Sequence, residues 1–395
     1  MKKTFVLAYF IIASITAICQ GSWQQKNSLP SNGRYASFAF SIGSYGYVGG
    51  GQINTSGTYV SDFWEYNSEG VWTQKANYAG GIRYSASAFT IGNYGYVCCG
   101  YDGQCKKDLW MYDPSNNTWI QKSNLPSSGR YGAFSFAIGD KAYLGMGSIG
   151  GPPFLNDFWE YNSTNDTWTQ KTSYNNSVGR IHGIGFSING YGYAGLGTDN
   201  GNGHYVDDFW QYNPQTNQWI LKANYPVSKA NTCYFVINDK AYVGGGINNN
   251  GVYDNLYYEY SPINNIWSAI SSPGAINRSA GIGFSINNSG YIGLGISSSG
   301  SFLNDLWQYT PQNSSIGKSE NSSLIDIKYY NKELQIKSNF NNAQFLIYNI
   351  AGVQIIKENI KNTATISLST LSKGTYLYKV INNKKIISTD KFIVL

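Results

Sequence analysis

RYASFAFSIGSYGYVGGGQINTSGTYVSDFWEYNSEGVWTQK (34–75) decides the fold, because most of the chain repeats it. It holds four short runs. The first, RYASFAFSI, alternates small and larger side chains behind a cation, and the second ends in glycines at YVGGG (47–51). The third carries Asp-x-Trp-x-Tyr at 62–66, and the fourth opens on a tryptophan at 72–75. Short alternating runs punctuated by glycine read as strands joined by tight turns.

Working outward, the third run returns as DLWMY (108–112), DFWEY (157–161), DFWQY (208–212) and DLWQY (305–309). A sixth copy, LYYEY (256–260), has Leu256 at the Asp position and Tyr258 at the Trp position. The glycine run returns as YVCCG (96–100), YLGMG (143–147), YAGLG (193–197), YVGGG (242–246) and YIGLG (291–295). Each unit is opened by a cation: Arg34, Arg83, Arg130, Arg180, Lys229 and Arg278. A period of 46 to 51 residues with four strands per unit is what a β-propeller blade needs.

The fourth run shows how the ring closes. It occurs at 72–75, 119–122, 168–171, 219–222 and 267–270, but the last unit runs instead into PQNSS. An orphan copy, WQQK, stands near the start at 23–26. The N-terminal strand is therefore expected to complete the sixth blade. The expected fold class is all-β, a six-bladed propeller over 20–311 followed by a small C-terminal β-sandwich.

These residues resemble the kelch family, in which a diglycine ends the second strand and a spaced Tyr and Trp follow. Lys229, Leu256, Tyr258 and the Cys98-Cys99 pair depart from that pattern. The resemblance implies the galactose oxidase and kelch superfamily of propellers.

Residues 1–19 read as a signal peptide, with Lys2 and Lys3 ahead of an apolar run from Phe5 to Ile15 and small residues at Ala17 and Cys19. That run is short for a membrane span, and no later segment is apolar enough, so no transmembrane segment is expected after cleavage. Residues 312–323 read as a polar linker. Residues 324–395 alternate over about seven strands, as an Ig-like sandwich would. NIAG (349–352), LSKGTYLYKV (371–380) and the terminal KFIVL resemble the C-terminal sorting domain of the type IX secretion system of Bacteroidetes. The resemblance implies export machinery and a sortase as partners, and a secreted or cell-surface address.

The formal charge of +6 misleads. Residues 20–317 hold 15 Lys and Arg against 17 Asp and Glu, while residues 318–395 hold 11 against 5. A near-neutral propeller removes the main support for nucleic-acid binding.

All eleven tryptophans sit at the third- and fourth-strand positions, so none is left over as a ligand platform. Aromatics three residues before the Asp position (Tyr59, Phe154, Tyr205, Tyr253, Phe302) read as blade packing. Cys105 holds that place in the second unit, and a Cys99–Cys105 disulfide is expected, with Cys98 as the alternate. The six cations are expected around one end of the channel, where they would either pair with the DxW aspartates or grip an anionic ligand. In kelch proteins that grip acidic peptides, arginines at this position face the ligand, which the resemblance extends to these six. His182 and His204 are expected on the same face.

No cofactor and no metal are expected. Asp199, in the TDNGNG loop (198–203), misses the calcium-loop spacing. The two histidines come with no Cys–Tyr pairing of the kind copper radical oxidases need, and STNDTW (163–168) lacks the sialidase Asp-box residues. The leading expectation is a secreted binding module for a protein or glycan. A carbohydrate-active enzyme such as a sialic-acid mutarotase-like propeller, and a structural adhesin or envelope component, are the alternatives.

Overall fold

The computed structural model describes residues 21–174, 179–199, 204–311, 325–330, 333–340, 342–349, 353–372, 374–383 and 385–394. The expected signal peptide and the linker lie outside the described residues. The chain divides into two compact units, 1–311 and 312–395.

Among the described residues of the first unit, the longer strands form six four-stranded antiparallel sheets. In the first blade the order is Phe38–Ile42, Tyr45–Gly49, Phe63–Asn67 and Trp72–Lys75, innermost to outermost. The inner strand buries Phe38, Phe40 and Ile42. Phe40 stacks on Tyr47 of its own blade, and its ring lies where a Cβ on Gly95 of the next blade would stand, 2.1 Å away. Glycine at that place lets neighbouring blades approach; Gly46, Gly192 and Gly290 meet Phe284, Phe136 and Phe235 in the same way.

The sixth sheet is built from both ends of the propeller sequence. Ser22–Lys26 pairs antiparallel with Leu306–Thr310, Ser22 opposite Thr310 and Lys26 opposite Leu306. The tryptophan that starts each outer strand then reaches back one blade. Trp72, Trp119, Trp168, Trp219 and Trp267 donate their indole N–H groups to the carbonyls of Asn27, Ala76, Ser123, Thr172 and Ala223, and Trp23 donates to Ser271. Six equivalent latches hold the rim.

The second unit pairs Ile325–Tyr330, Glu333–Ser338 and Thr363–Ser367 in one sheet. Its other sheet runs in the order Gln354–Ile360, Ala343–Asn349, Gly374–Asn382 and Lys385–Val394. Leu334, Ile336, Phe345, Ile347, Ile360 and Val380 form one buried core, as a two-sheet sandwich requires.

Candidate functional site

Each cation that opens a unit is buried, and each is spoken for. Arg34 meets both carboxylate oxygens of Asp62 at 2.6 and 2.8 Å, and Arg130 meets those of Asp157 at 2.5 and 2.8 Å. Arg83 pairs with Asp108, Arg180 with Asp208, and Arg278 with Asp305. Four of these guanidiniums also donate to the carbonyl sixteen residues on, Arg34 to Gly50, Arg83 to Cys99, Arg130 to Met146 and Arg278 to Leu294. The DxW tryptophan donates its indole N–H to that aspartate in five blades, from Trp64 to Asp62 through Trp307 to Asp305. Burial raises the Asp62 and Asp157 carboxyls, but the arginine hydrogen bonds and charges outweigh it and hold both below the usual carboxylate range.

Of the two expectations for the six cations, pairing with aspartate is the one this geometry displays, with the DxW aspartate in five blades and with Asp254 in the fifth. Bidentate pairing in five blades commits the guanidinium Nη groups to a carboxylate, so drawing one toward a ligand would strand that partly buried aspartate, although Nε of Arg83, Arg180 and Arg278 has no partner. The fifth blade shows how tight the coupling is. Lys229 is shorter than arginine, and its partner is Asp254, two residues ahead of the usual place, at 2.5 Å. Leu256 then stands free of pairing duty, and Tyr258 has no indole to point at it.

Two residues past each cation lie Ala36, Ser85, Gly132, His182, Asn231 and Ala280, all with φ between +50° and +66°. Their backbones join hand to hand. Ser85 N–H donates to Ala36, Gly132 to Ser85, His182 to Gly132, Asn231 to His182, Ala280 to Asn231, and Ala36 to Ala280, at 2.8 to 3.1 Å. The result is a closed main-chain collar around the channel axis. A second closed circuit supports it, in which Gly51, Gly100, Gly147, Gly197, Gly246 and Gly295 donate to the carbonyl of the next blade's cation. These glycines have φ of +87° to +105°, whereas the position before them accepts Cys99, Met146, Leu196 and Leu294 in the left-handed region. Only the second glycine of the pair is indispensable.

Inside the collar lies a cavity of about 150 Å³. Its polar lining includes Ser85, His182, Asn231 and Thr232, and no cation is among the described lining residues. Thr232 Oγ1 is buried with no hydrogen-bond partner. Burial pushes His182 down to about 4, so it is neutral at ordinary pH. Tyr234 of the fifth blade lines the same cavity, its main chain against Gly283 of the sixth blade, and burial pushes its hydroxyl up to about 12.

Around the collar runs an arc of half-buried aromatics. Phe302 packs on Tyr35, Tyr35 on Tyr84, Tyr84 on Tyr131 and Tyr131 on His182, with ring centroids 5.6 to 6.3 Å apart. Tyr59 stacks on Tyr84 at 4.9 Å, and Tyr101 sits edge-on to both Tyr84 and Tyr131. The arc covers only half the mouth, since the places of Tyr35, Tyr84 and Tyr131 are taken by Ile181, Ala230 and Ser279 in the other three blades, all buried. Sequence reasoning passed over these tyrosines. The signal was the dipeptide Arg-Tyr at 34–35, 83–84 and 130–131.

His182 belongs to the cavity, whereas His204 is exposed in its loop, its carbonyl accepting the Asp199 N–H, and is not part of the lining. Residues 200–203 of that loop lie outside the described residues. The expected Cys99–Cys105 bridge is not present in this structure, where Cys98, Cys99, Cys105 and Cys233 are all drawn without a disulfide bond. Cys105 directs its sulfur at the Ser148 carbonyl of the next blade, while Cys99 is buried beneath it against Cys98. No group of three or more metal-ligating side chains occurs among the described residues.

With that geometry in hand, the kinship is clear. A model of the KLHDC2/KLHL20/DRC7 kelch-repeats domain matches residues 36–224, and one of the secretion system C-terminal sorting domain matches residues 330–395. The chain is a kelch-repeat propeller carrying a type IX sorting domain. Among solved structures it is similar to one titled "Structure of YjhT", with a TM-score of 0.60 and 17% identity over 72% of this chain and 97% of that one. At that identity the likeness concerns the fold alone. No curated protein matches the kelch chain. Its sorting domain marks it for export to the cell surface or beyond, and no helix among the described residues is long and apolar enough to cross a membrane.

Proposed function

We propose that this kelch propeller is an exported binding module that holds an uncharged, hydroxyl-rich ligand of the glycan class over its channel mouth. The observation that carries this reading is the half-exposed tyrosine arc, Tyr35, Tyr84 and Tyr131 backed by Tyr59 and Tyr101, beside a cavity with neutral polar lining. Aromatic faces offer apolar area with a polar edge, and a few convergent donors and acceptors fix orientation. Burial, then the neighbouring hydroxyls, push Tyr35 and Tyr84 upward, so they remain neutral donors. A carboxylated ligand finds no free cation in the described lining, which argues against the anionic ligand weighed from the sequence. Turnover of such a sugar would have only His182 and Tyr234 as titratable lining groups.

Delivery fits the same reading. Residues 1–19 are proposed to act as a signal peptide, and the C-terminal domain would engage the type IX machinery and its sortase.

The test is a glycan array with the purified propeller, followed by titration of any hit on Tyr84→Ala and Tyr131→Ala. Binding of neutral sugars that weakens at least tenfold in both variants, with unchanged melting, supports the proposal. Binding that survives both variants, or that is confined to acidic sugars, overturns it.

A further inference from the structure

We infer that Cys98 and Cys99 close into a vicinal disulfide in the exported protein. In an extended strand, adjacent side chains point to opposite faces and their sulfurs cannot meet. Here the chain turns between them, because Cys99 stands at φ +67°, the left-handed position that glycine holds in the first and fifth blades. The turn brings the two sulfurs to 3.2 Å, with both residues fully buried.

Room for this pair has been made elsewhere in the blade. The other five blades have glycine at the place of Cys98, and at Gly49 and Gly145 an added Cβ would stand 2.6 and 2.8 Å from the rings of Phe38 and Phe134. In the second blade the residue facing Cys98 across the strands is Ser87. Ser87 is small where Phe38 and Phe134 face a glycine in the first and third blades, so the volumes compensate. Cys105 takes no part, since its sulfur faces Ser148.

The sorting domain sends the chain to compartments where disulfides form and persist. The step is thiol–disulfide exchange with a disulfide-bearing oxidoreductase. One cysteine thiolate attacks the donor disulfide and releases one donor thiol. The second thiolate displaces the other, forming the S–S bond of about 2.05 Å. Two protons and two electrons pass from the cysteines to the donor, which leaves as a dithiol. Because the sulfurs are buried, exchange precedes packing of the second blade against the third.

The test uses the exported full chain, unfolded in denaturant with N-ethylmaleimide and no reductant, then cut by chymotrypsin. Cleavage after Tyr96 and Tyr101 frees 97–101 from Cys105. The expected fragment is unlabelled and two hydrogens light, and it takes two labels only after reduction, while Cys105 and Cys233 label directly. Direct labelling of both Cys98 and Cys99 overturns the inference. So does recovery of 97–101 joined to the Cys105 peptide until reduction, a product lost in Cys105→Ser, which would assign the bridge to Cys105.

Discussion

Trp23 donates its indole N–H to the carbonyl of Ser271 at 2.7 Å, bridging 248 positions of sequence. This latch is chemically the same as the five internal ones, and it works beside the pairing of Ser22–Lys26 with Leu306–Thr310 that joins the two ends of the propeller. Trp23→Phe should cost about 1 kcal/mol, the worth of one hydrogen bond, and Trp23→Ala about 3–5 kcal/mol. Deleting residues 21–26 leaves Leu306–Thr310 an unpaired edge, and self-association should follow. Denaturant unfolding and light scattering check both expectations.

The Lys229–Asp254 pair is a local re-registration of the pairing seen in the other blades. Asp254→Asn should destabilise the propeller by about 3–5 kcal/mol, because it strands a buried ammonium. Adding Lys229→Arg, Leu256→Asp and Tyr258→Trp rebuilds the arrangement of the other five blades and should recover most of that loss. If the quadruple variant is no more stable than Asp254→Asn alone, the pairing is not what holds this blade. Chemical denaturation of the parent, Asp254→Asn and the quadruple variant decides.

His182 makes the fold sensitive to acid in a defined window. Its folded value of about 4 lies below the ordinary 6.5, so between those values the unfolded chain takes a proton that the folded one refuses. Stability should therefore fall as pH drops from about 6.5 to about 4, by at most about 3 kcal/mol, and this contribution should be flat outside the window. Melting His182→Asn alongside the parent across that range isolates the effect. Asn tolerates the same backbone, as Asn231 shows at φ +57°, and the variant should lose this part of the slope.

The collar imposes a conformational rule. At Ala280, φ +50°, glycine should be neutral to stabilising by about 1 kcal/mol, whereas Val should destabilise because a β-branched side chain suits the left-handed region badly. In thermal melts Ala280→Val should fall below the parent, whereas Ala280→Gly should not.

What was legible beforehand divides along physical lines. The latches and the ring closure could be read because each rests on one residue type, tryptophan, at a fixed offset, and WQQK near the start had no other place to go. The DxW aspartates were likewise visible as one of two partners for the arginines, and bidentate geometry decides for them. The collar could not be read: Ala, Ser, Gly, His, Asn and Ala share a backbone conformation and no side-chain chemistry. The tyrosine arc was hidden for another reason, since attention to six-fold features discounts one that occupies three blades. The Cys99–Cys105 pairing was not legible as wrong because no residue type marks the turn at Cys99, φ +67°, that sets its sulfur against Cys98.

The collar has one more consequence. It is sealed by main-chain groups alone, so the side chains of Ala36, Ser85, His182, Asn231 and Ala280 take no part in closing it, while Gly132 has no room for one beside Ile181 and His182. A lineage of such proteins is therefore free to rewrite the rim of the bore one blade at a time, trading the imidazole or the carboxamide for other small groups while the ring stays shut. Selectivity and foldability are here inherited through separate atoms.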